Sequence, residues 1–325
     1  MSHRTPSVPG AGWLRGLLCG AALVIVCLGF ASLAVGQQER SPVEKGPSSS
    51  SHELRLKLMR QLEQEAAAFD GVLGVAAKDL TSGEMIRINA GLVFPQASSI
   101  KIAILIELLR QAQEGQQVLG DRIEIKHAQL VDGSGILNHF SEGGSAVSLG
   151  DLAVLMIQLS DNSATNILVE RVGMSSVNAT MSRLGLERTK LQRVMMDQEA
   201  QRGERENISS PAEMAVLLER LVQGKILDAK HTARAIEILK YEKPTPLRAG
   251  LPMGAVLADK SGSMPGVRCD SGIVYLGKRS YVIAVMTTFA EDESAAEHAI
   301  TEVSRRVYEY FERLARSNSL GARLP

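Results

Sequence analysis

Ser98 and Lys101 lie three positions apart in the stretch FPQASSIKIAILIELL, which spans residues 94–109. If a helix begins at Ala97 or Ser98, the two side chains meet one turn apart on the same face. A buried lysine near other positive charge loses pKa, because desolvation and like charge both disfavour the ammonium form. The neutral amine could then take a proton from the serine hydroxyl, which makes Ser98 a candidate nucleophile and Lys101 its base. The alternative is that Ser98 only caps the helix.

Two further short stretches carry polar residues that could take part in the same chemistry. Ser160-Asp161-Asn162 lies in QLSDNSATN between two helical patterns, 59 residues after Lys101. Lys260-Ser261-Gly262 lies at the end of a strand pattern, 98 residues after Asn162. Each also has a plain structural interpretation, as a helix cap for the first and as a strand end entering a turn at Gly262 for the second. Each is weak alone, and their order along the chain carries the information.

The spacing of apolar residues predicts the elements that hold these stretches. From Ile100 onward such residues surround the axis, which is typical of a helix buried on nearly every side. Residues 54–69 have helical spacing. Residues 71–79 and 84–90 alternate on either side of Thr81-Ser82-Gly83, which predicts an antiparallel hairpin.

Helical spacing dominates the middle of the chain, and strand spacing returns near its end. Helices are predicted at 149–157, 164–172, 177–184, 211–221 and about 294–314, and strands at 255–259, 267–276 and 280–289. The sequence therefore predicts an α/β (α+β) fold: a five-stranded antiparallel sheet built from both chain ends, flanked by N- and C-terminal helices, with an inserted all-helical lobe. A site is expected in the cleft between the lobes.

The first residues differ from the rest of the chain. Arg4 and Arg15 precede an uncharged apolar run, and Ala34-Val35-Gly36 places small residues where a signal peptidase would cut. We predict that residues 1–36 are a signal peptide, with an uncleaved membrane anchor as the alternative. Either way the body is exported, to the periplasm or beyond the cell. Residues 37–51 have no apolar period and are predicted to be a linker.

Charge and cysteine content exclude several classes of protein. The chain has 36 basic and 36 acidic residues, and residues 1–36 hold two arginines and no acid, which leaves 34 and 36 in the body. No nucleic-acid surface is indicated by that balance. Cys19 and Cys27 leave with the predicted signal, so Cys269 remains alone and no intrachain disulfide can form. The six histidines lack ligand spacing such as His-Glu-x-x-His, so neither a metal site nor a cofactor is expected.

The three stretches in this order make the chain resemble the class A serine β-lactamases and their penicillin-recognising relatives. Signatures of that family are Ser-x-x-Lys, Ser-Asp-Asn and Lys-Thr-Gly. Ser98 and Lys101 match the first signature, and Ser160-Asp161-Asn162 matches the second. Lys260-Ser261-Gly262 matches the third with a serine where threonine is usual, a change that keeps the hydroxyl.

The resemblance covers roughly residues 52–315. It implies a single catalytic domain of the β-lactamase/transpeptidase-like fold. The sheet lobe would comprise residues 52–92 and 248–315, and the helical lobe residues 93–247, followed by a tail at 316–325.

The chemistry of acyl transfer explains why these residue types occur together. Lys101 would deprotonate Ser98, directly or through a water, and Ser160 would pass a proton to the leaving nitrogen. Lys260 would hold down the pKa of Lys101 and attract the carboxylate that β-lactams and peptidoglycan stems carry. Further substrate-binding residues are Asn162, Ser261, Gly262 and Ser263. By resemblance, the backbone N–H groups of Ser98 and Ser263 would form the oxyanion hole.

One part of the family pattern fails in the stretch TKLQRVM, residues 189–195. Met195 stands where class A enzymes carry the glutamate that activates the deacylating water, and a thioether cannot abstract a proton. Asn207 stands where an aspartate normally pairs with the loop arginine. Asp197 or Glu199 could supply a base from a reshaped loop, or could be solvated loop charges.

Two functions of different class follow from these residues. The first is a serine hydrolase that opens β-lactam rings through a Ser98 acyl-enzyme. The second is a penicillin-binding sensor or trap that acylates but deacylates slowly, with a peptidoglycan peptidase-like protein as a third. The expected partner is a small β-lactam or acyl-peptide, and the expected state is a monomer. Residues 133–137, Gly-Ser-Gly-Ile-Leu, either border the cleft or form a plain loop.

Overall fold

The structure is a computed structural model that describes residues 49–140 and 145–324. Its helices are α1 Ser49–Ala68, α2 Lys101–Gln113, α3 Leu149–Gln158, α4 Asn162–Val172, α5 Met174–Arg183, α6 Gln198–Arg202, α7 Pro211–Val222, α8 Ala229–Lys240, α9 Pro246–Ala249 and α10 Glu293–Ala315. Its strands are β1 Val72–Asp79, β2 Met85–Ile88, β3 Phe94–Pro95, β4 Arg122–Glu124, β5 Ala146–Ser148, β6 Ile208–Ser209, β7 Val256–Met264, β8 Val267–Tyr275 and β9 Tyr281–Thr288.

The predicted segments at the N-terminus are only partly covered. The predicted signal peptide or anchor at 1–36 and the predicted linker up to residue 48 lie outside the described residues. Helix α1 begins at Ser49, so the last three residues assigned to the linker are helical. Within residues 49–140 and 145–324, none of the helices is long and apolar enough to cross a membrane.

Five strands form the main sheet, in the order β2-β1-β9-β8-β7, and all neighbouring pairs are antiparallel. The predicted five-stranded antiparallel sheet is therefore confirmed, as is the predicted hairpin formed by β1 and β2. Strand β7 is an edge strand of this sheet. An edge strand leaves backbone groups available on its outer side, which is where a cleft can use them.

The sheet has a hydrophobic core on each face. One core packs the sheet against α1 and α10 through residues such as Leu62, Val303 and Phe311. The other packs it against the helical lobe, with α2 at its centre. Every apolar side chain of α2 from Ile102 to Leu109 is fully buried, which confirms the prediction of a helix buried on nearly all sides. This burial fixes the position of Lys101 at the start of α2.

The predicted helices of the middle region are present as α3, α4, α5 and α7. Gly173 and Gly185 follow α4 and α5 with φ angles of 83° and 68°, a left-handed conformation that suits glycine. Helix α8 is absent from the sequence prediction, although Asp228 caps it and its inward side buries residues at helical spacing. The sequence prediction missed α8 because the AKHTARAIEILK segment is mostly polar and its apolar face is narrow.

The strand that carries Lys260-Ser261-Gly262 is longer than predicted. It was expected to end at residue 259, but β7 pairs with β8 through Met264 opposite Val267. Gly262 therefore lies inside the strand rather than in a turn. A Cβ at this position would lie 2.5 Å from Gln96 O and 2.8 Å from Ser98 N. Glycine is needed here because β7 packs directly on the backbone of the turn that holds Ser98.

Candidate active site

Ser98 lies in a tight 3-10 turn, Ala97–Ile100, that leads directly into α2. The turn is held at its entry, where Gln96 N–H donates to Asn207 O at 2.7 Å. Ala97 adopts a φ of 43°, a strained value for a residue other than glycine. The side chain of Ser98 is partly buried and lines a cleft between the two lobes. Packing of β7 on this turn therefore fixes the nucleophile candidate against the cleft.

Lys101 joins the first two motifs. Its Nζ donates to Ser160 O at 2.8 Å, to Ser160 Oγ at 3.1 Å and to Asn162 Oδ1 at 3.1 Å. Its described hydrogen bonds go to these two residues rather than to Ser98. The side chain is fully buried, so it reaches the cleft through Ser160.

The surroundings of Lys101 disfavour its charged form. Burial lowers the pKa of Lys101 well below the ordinary lysine value, the positive charge of Lys260 lowers it further, and the charge of Asp161 opposes both. A lysine with a lowered pKa can act as a base at neutral pH. The predicted coupling between the two lysines is therefore present in the electrostatics of the site.

Ser160-Asp161-Asn162 connects α3 to α4. One of its residues caps α4, and the other two line the cleft. Asp161 caps α4, since its Oδ1 accepts from Ala164 N at 2.8 Å. Its Oδ2 accepts from the N–H groups of Ile136 and Leu137, each at 2.8 Å. Ser160 adopts a φ of 55° and, with Asn162, lines the cleft. The cap interpretation therefore holds for Asp161. Ser160 and Asn162 line the cleft and accept hydrogen bonds from Lys101.

The loop at 133–137 borders the cleft, because Gly133 and Ser134 line it. A Cβ on Gly133 would lie 2.7 Å from Asn162 Nδ2, and one on Gly135 would lie 2.2 Å from Asp161 Oδ2. Both glycines also have positive φ angles. Their absence of side chains lets this loop close onto Ser160-Asp161-Asn162.

Lys260 lines the cleft from β7, together with Ser261, Gly262 and Ser263. Its Nζ donates to Ser261 O at 2.6 Å. Burial lowers the pKa of Lys260 to about 8, against the attraction of Asp270 and Asp259 and with the repulsion of Lys243. Burial therefore disfavours the charged form of both site lysines.

Two acidic residues near Lys260, Asp259 on β7 and Asp270 on β8, were missed by the sequence prediction. Asp259 pairs with Lys243, Oδ1 to Nζ at 3.1 Å, and accepts from Thr245 Oγ1 at 2.6 Å. Asp270 is fully buried on β8, where its Oδ2 accepts from Leu247 N at 3.0 Å. Burial, and then the charge of Asp259, raises the pKa of Asp270 well above its usual range. A sequence pattern gives little sign of such pairing, because the partners come from different elements.

The cleft has a volume of about 350 Å³. Its lining residues are Ala97, Ser98, Gly133, Ser134, Ser160, Asn162, Arg193, Met195, Met196, Gln198, Gln201, Asn207, Lys260, Ser261, Gly262, Ser263, Met264 and Pro265. Among these described residues the only ionisable ones are Arg193 and Lys260, and none is a carboxylate. A second cavity of about 490 Å³ beside α9 and α10 contains neither Ser98 nor Ser160. The candidate site is therefore identified by the reactive side chains that line it, and not by the volume of the cavity.

Met195 is one of the residues that line the cleft. Its side chain lines the cleft although the residue is only 7% exposed. The amide of Asn166 holds its backbone on both sides: Met195 N–H donates to Asn166 Oδ1 at 2.7 Å, and Asn166 Nδ2 donates to Met195 O at 3.0 Å. Asn166 lies four residues after Asn162, so helical spacing could have placed it near the site. A thioether thus occupies a well-anchored position in the cleft.

The structure does not bring Asp197 or Glu199 into the cleft. Asp197 caps α6, since its Oδ1 accepts from Ala200 N at 2.9 Å, and Glu199 is exposed. Gln198 and Gln201 line the cleft instead. These two glutamines lie three residues apart and share a face of α6, which turns Glu199 away. The expectation that Asp197 or Glu199 supplies a base is not supported by this geometry.

The loop arginine, Arg193, pairs with a residue next to Asn207. Arg193 pairs with Glu206, whose Oε2 lies 2.9 Å from Nη2 and 3.0 Å from Nε. Asn207 Oδ1 accepts from the N–H groups of Gln192 at 2.7 Å and Arg193 at 3.0 Å. Glu206, the residue before Asn207, therefore supplies the carboxylate that pairs with this arginine.

Comparison with known proteins gives matches over most of the chain. Residues 57–311 match the family described as "Beta-lactamase enzyme family". Beta-lactamase SME-1 of Serratia marcescens is 29% identical over 258 residues, covering 77% of this chain and 86% of the relative. The imipenem-hydrolyzing beta-lactamase of Enterobacter cloacae is 32% identical over 247 residues, covering 73% and 84%. The solved structure of PBP-A superposes with a TM-score of 0.73 at 30% identity, covering 79% of this chain and 96% of PBP-A.

Proposed function

The chain belongs to the class A serine β-lactamase family, and from this premise we propose that it is a serine hydrolase that opens β-lactam rings through an acyl-enzyme on Ser98. The observation that carries the proposal is the meeting of three distant motifs at one cleft. Lys101 hydrogen-bonds Ser160 and Asn162, and Lys260 lines the same cleft beside Ser98. Similarity to beta-lactamases over the whole domain supports the same reaction.

In the proposed acylation, Lys101 takes the proton of Ser98, directly or through Ser160 or a water. Ser98 Oγ then attacks the carbonyl carbon of the β-lactam ring, and Ser160 passes a proton to the ring nitrogen as the C–N bond breaks. The lowered pKa of Lys101 supports its role as the base. The buried hydrogen bond between Lys101 and Ser160 supports the proton path between them.

Substrate binding is assigned to groups on both sides of Ser98. The charge of Lys260, with the hydroxyl of Ser261, would bind the substrate carboxylate. The close packing of Gly262 on the nucleophile turn supports an oxyanion hole formed by the N–H groups of Ser98 and Ser263. Asn162 donates one Nδ2 hydrogen to Asp132 O at 3.2 Å, which leaves the second for a substrate carbonyl.

A second candidate function is a penicillin-binding sensor or trap. It is favoured by the buried thioether of Met195 and by the absence of a carboxylate among the described residues that line the cleft. General-base catalysis typically contributes about 10²- to 10⁴-fold, so deacylation without a carboxylate base would be slower by about that factor. Both candidates share the same acyl-enzyme and differ only in its lifetime.

The location and assembly of the protein are also proposals. The apolar run with small residues at 34–36 supports export to the periplasm or beyond the cell, with residues 1–36 as a signal peptide or an anchor. We infer a monomer that acts without metal or cofactor. N-terminal sequencing of the protein recovered from the periplasmic and membrane fractions distinguishes the two N-terminal alternatives: a start at Gln37 supports cleavage, and a start before it in the membrane fraction supports an anchor.

The proposed function is tested with the purified protein and two substrates. Hydrolysis of a chromogenic cephalosporin reports turnover, and benzylpenicillin followed by peptide mass mapping reports the adduct. We expect the mass increase on the peptide that contains Ser98. An adduct on another residue, or neither turnover nor adduct at high substrate concentration, would refute the proposal.

A further inference from the structure

The three oxygen atoms around Lys101 Nζ are not equivalent. Ser160 O and Asn162 Oδ1 are carbonyl oxygens, which only accept hydrogen bonds. Ser160 Oγ belongs to a hydroxyl, which can accept or donate. A neutral amine has two hydrogens and one lone pair. If its hydrogens go to the two carbonyls, its lone pair is left facing the hydroxyl hydrogen of Ser160.

Ser160 is therefore the group through which the buried amine meets the cleft. Lys101 has no exposed surface, whereas Ser160 is partly exposed and lines the cleft. The left-handed φ of Ser160, 55°, is a strained conformation, and the cap and loop hydrogen bonds of Asp161 hold it in place. The serine is thus held rigidly between the lysine and any molecule in the cleft.

We propose that the Ser160–Lys101 pair is also the base of deacylation, so that one base serves both halves of the reaction. This inference rests on the proposed function, because it requires the ester on Ser98. It assigns Ser160 a second role, since in acylation it passes a proton outward to the leaving nitrogen and here it carries one inward.

The step balances with water as the only co-reactant. The water oxygen attacks the ester carbonyl carbon, its proton passes to Ser160 Oγ, and the proton of Ser160 passes to Lys101 Nζ. The tetrahedral intermediate then collapses, and the bond between the carbonyl carbon and Ser98 Oγ breaks. Ser98 Oγ regains a proton from the Lys101 ammonium through Ser160. The product is the free acid, and both lysine and serine return to their starting forms.

Other groups at the cleft are poor alternatives. Arg193 does not lose its proton in proteins. Lys260 donates to Ser261 O, and the charge of Asp259 favours its charged form. Asp197 and Glu199 do not line the cleft. Among the described residues, the Ser160–Lys101 pair is the remaining base with access to the position of Ser98.

If the Ser160–Lys101 pair is the base of both steps, the rates of acylation and deacylation should depend on pH in the same way. Charged groups that act on Lys101 are Lys260 from β7 and Asp161 from the α3–α4 connection, while Asp270, Asp259 and Lys243 act on it through Lys260. Below the pKa of Lys101 its amine is protonated and cannot accept the proton of Ser160. Acylation and deacylation should therefore both slow on the acid side, with the same midpoint. A carboxylate base would give deacylation a separate, lower midpoint.

The test measures the lifetime of the Ser98 adduct. The protein is labelled to completion with benzylpenicillin, free antibiotic is removed, and intact mass is followed over time at several pH values. In Ser160→Ala, labelled by longer incubation, we expect the lifetime to lengthen by about 10²- to 10⁴-fold. Ser176→Ala changes a partly buried serine on α5 and should leave the lifetime unchanged.

A double variant separates loss of the base from general damage. In Met195→Glu with Ser160→Ala, the new carboxylate can activate water without Ser160, so the adduct lifetime should be much shorter than in Ser160→Ala alone. A wild-type lifetime that is independent of pH, or equal in Ser160→Ala, would overturn the inference while leaving the proposed function intact. If Ser160→Ala forms no adduct, the wild-type pH profile decides alone. Absence of any adduct in the wild type would instead refute the proposed function, and the inference with it.

Discussion

The two walls of the cleft differ in what they offer to the two half-reactions. The first wall is defined as the motif residues that α2, the α3–α4 connection and β7 bring together, namely Ser98, Lys101, Ser160 and Lys260. The second wall is defined as the loop at 189–208, in which Asn166 holds the backbone of Met195 and Arg193 pairs with Glu206. None of the carboxylates of this loop lines the cleft. A loop can therefore hold its backbone in place without contributing a base to the cleft, because hydrogen bonds to the backbone do not depend on which side chain faces the cleft.

The largest effect is expected at the nucleophile. Ser98→Ala should abolish formation of the penicillin adduct, since no other hydroxyl occupies the start of α2 on the cleft side. The matched control is the neighbouring Ser99→Ala, which removes a hydroxyl that is fully buried and outside the cleft lining. Intact mass after incubation with benzylpenicillin checks both variants. An adduct of undiminished yield in Ser98→Ala would contradict the description of the first wall.

The next effect is expected at the opposite wall. Met195→Glu places a carboxyl group in the cleft, and its low exposure, 7%, should raise the carboxyl pKa and make it a better base. The adduct lifetime should shorten by at most about 10²- to 10⁴-fold, since the Ser160–Lys101 pair already activates water in the wild type. Asp197→Asn and Glu199→Gln are the controls and should leave the lifetime of the wild type unchanged. A lifetime that lengthens strongly in either control would show that the loop has recruited its own base.

A smaller effect tests the charge coupling within the first wall. Lys260→Ala removes a positive charge that holds down the pKa of Lys101, so that pKa should rise. Because Lys101 works as a neutral base, the acid limb of the acylation rate should move to higher pH. The position of the limb is the readout, because the plateau also falls when the substrate carboxylate loses its partner. Lys225→Ala, an exposed lysine away from the cleft, is the control. An unmoved limb in Lys260→Ala would contradict the coupling.

The smallest effect concerns the scaffold of the second wall. Glu206→Gln weakens the ion pair with Arg193. Both side chains are largely buried, with 10% of Arg193 and 17% of Glu206 exposed. We expect the free energy of unfolding to fall by about 1–2 kcal/mol, with adduct formation preserved. Urea unfolding checks this, with the exposed Glu199→Gln as the control. Equal stability of the two variants would show that the Arg193–Glu206 pair does not hold the loop.

The sequence predicted the first wall much better than the second. The motifs of Ser98, Ser160 and Lys260 are local patterns of three or four residues, and the helices and strands around them follow apolar spacing. Gly262 was harder to interpret, because glycine occurs both in turns and where two backbones touch. Here the close approach to Ser98 N shows that the second reason applies. Nearness in sequence to Met195 suggested Asp197 and Glu199, but the helical phase of α6 removes them from the cleft.

The supporting residues could not be predicted, because their partners lie far apart in the chain. Asn166 binds Met195 across 29 positions. Asp270 accepts from Leu247 N across 23 positions and acts on Lys260 from the opposite face of the sheet. Such contacts depend on strand register and on the packing of separate elements, and a single sequence carries neither.

The contrast between the two walls is tested most directly by a time course with the wild-type protein. The protein is mixed with a small excess of a chromogenic β-lactam, and released chromophore and intact mass are followed together. We predict a rapid burst of about one equivalent, accumulation of an adduct on Ser98, and then slow release at the rate at which that adduct decays. Fast steady turnover without a burst and without an accumulating adduct would contradict it, because the second half-reaction would then be as well catalysed as the first.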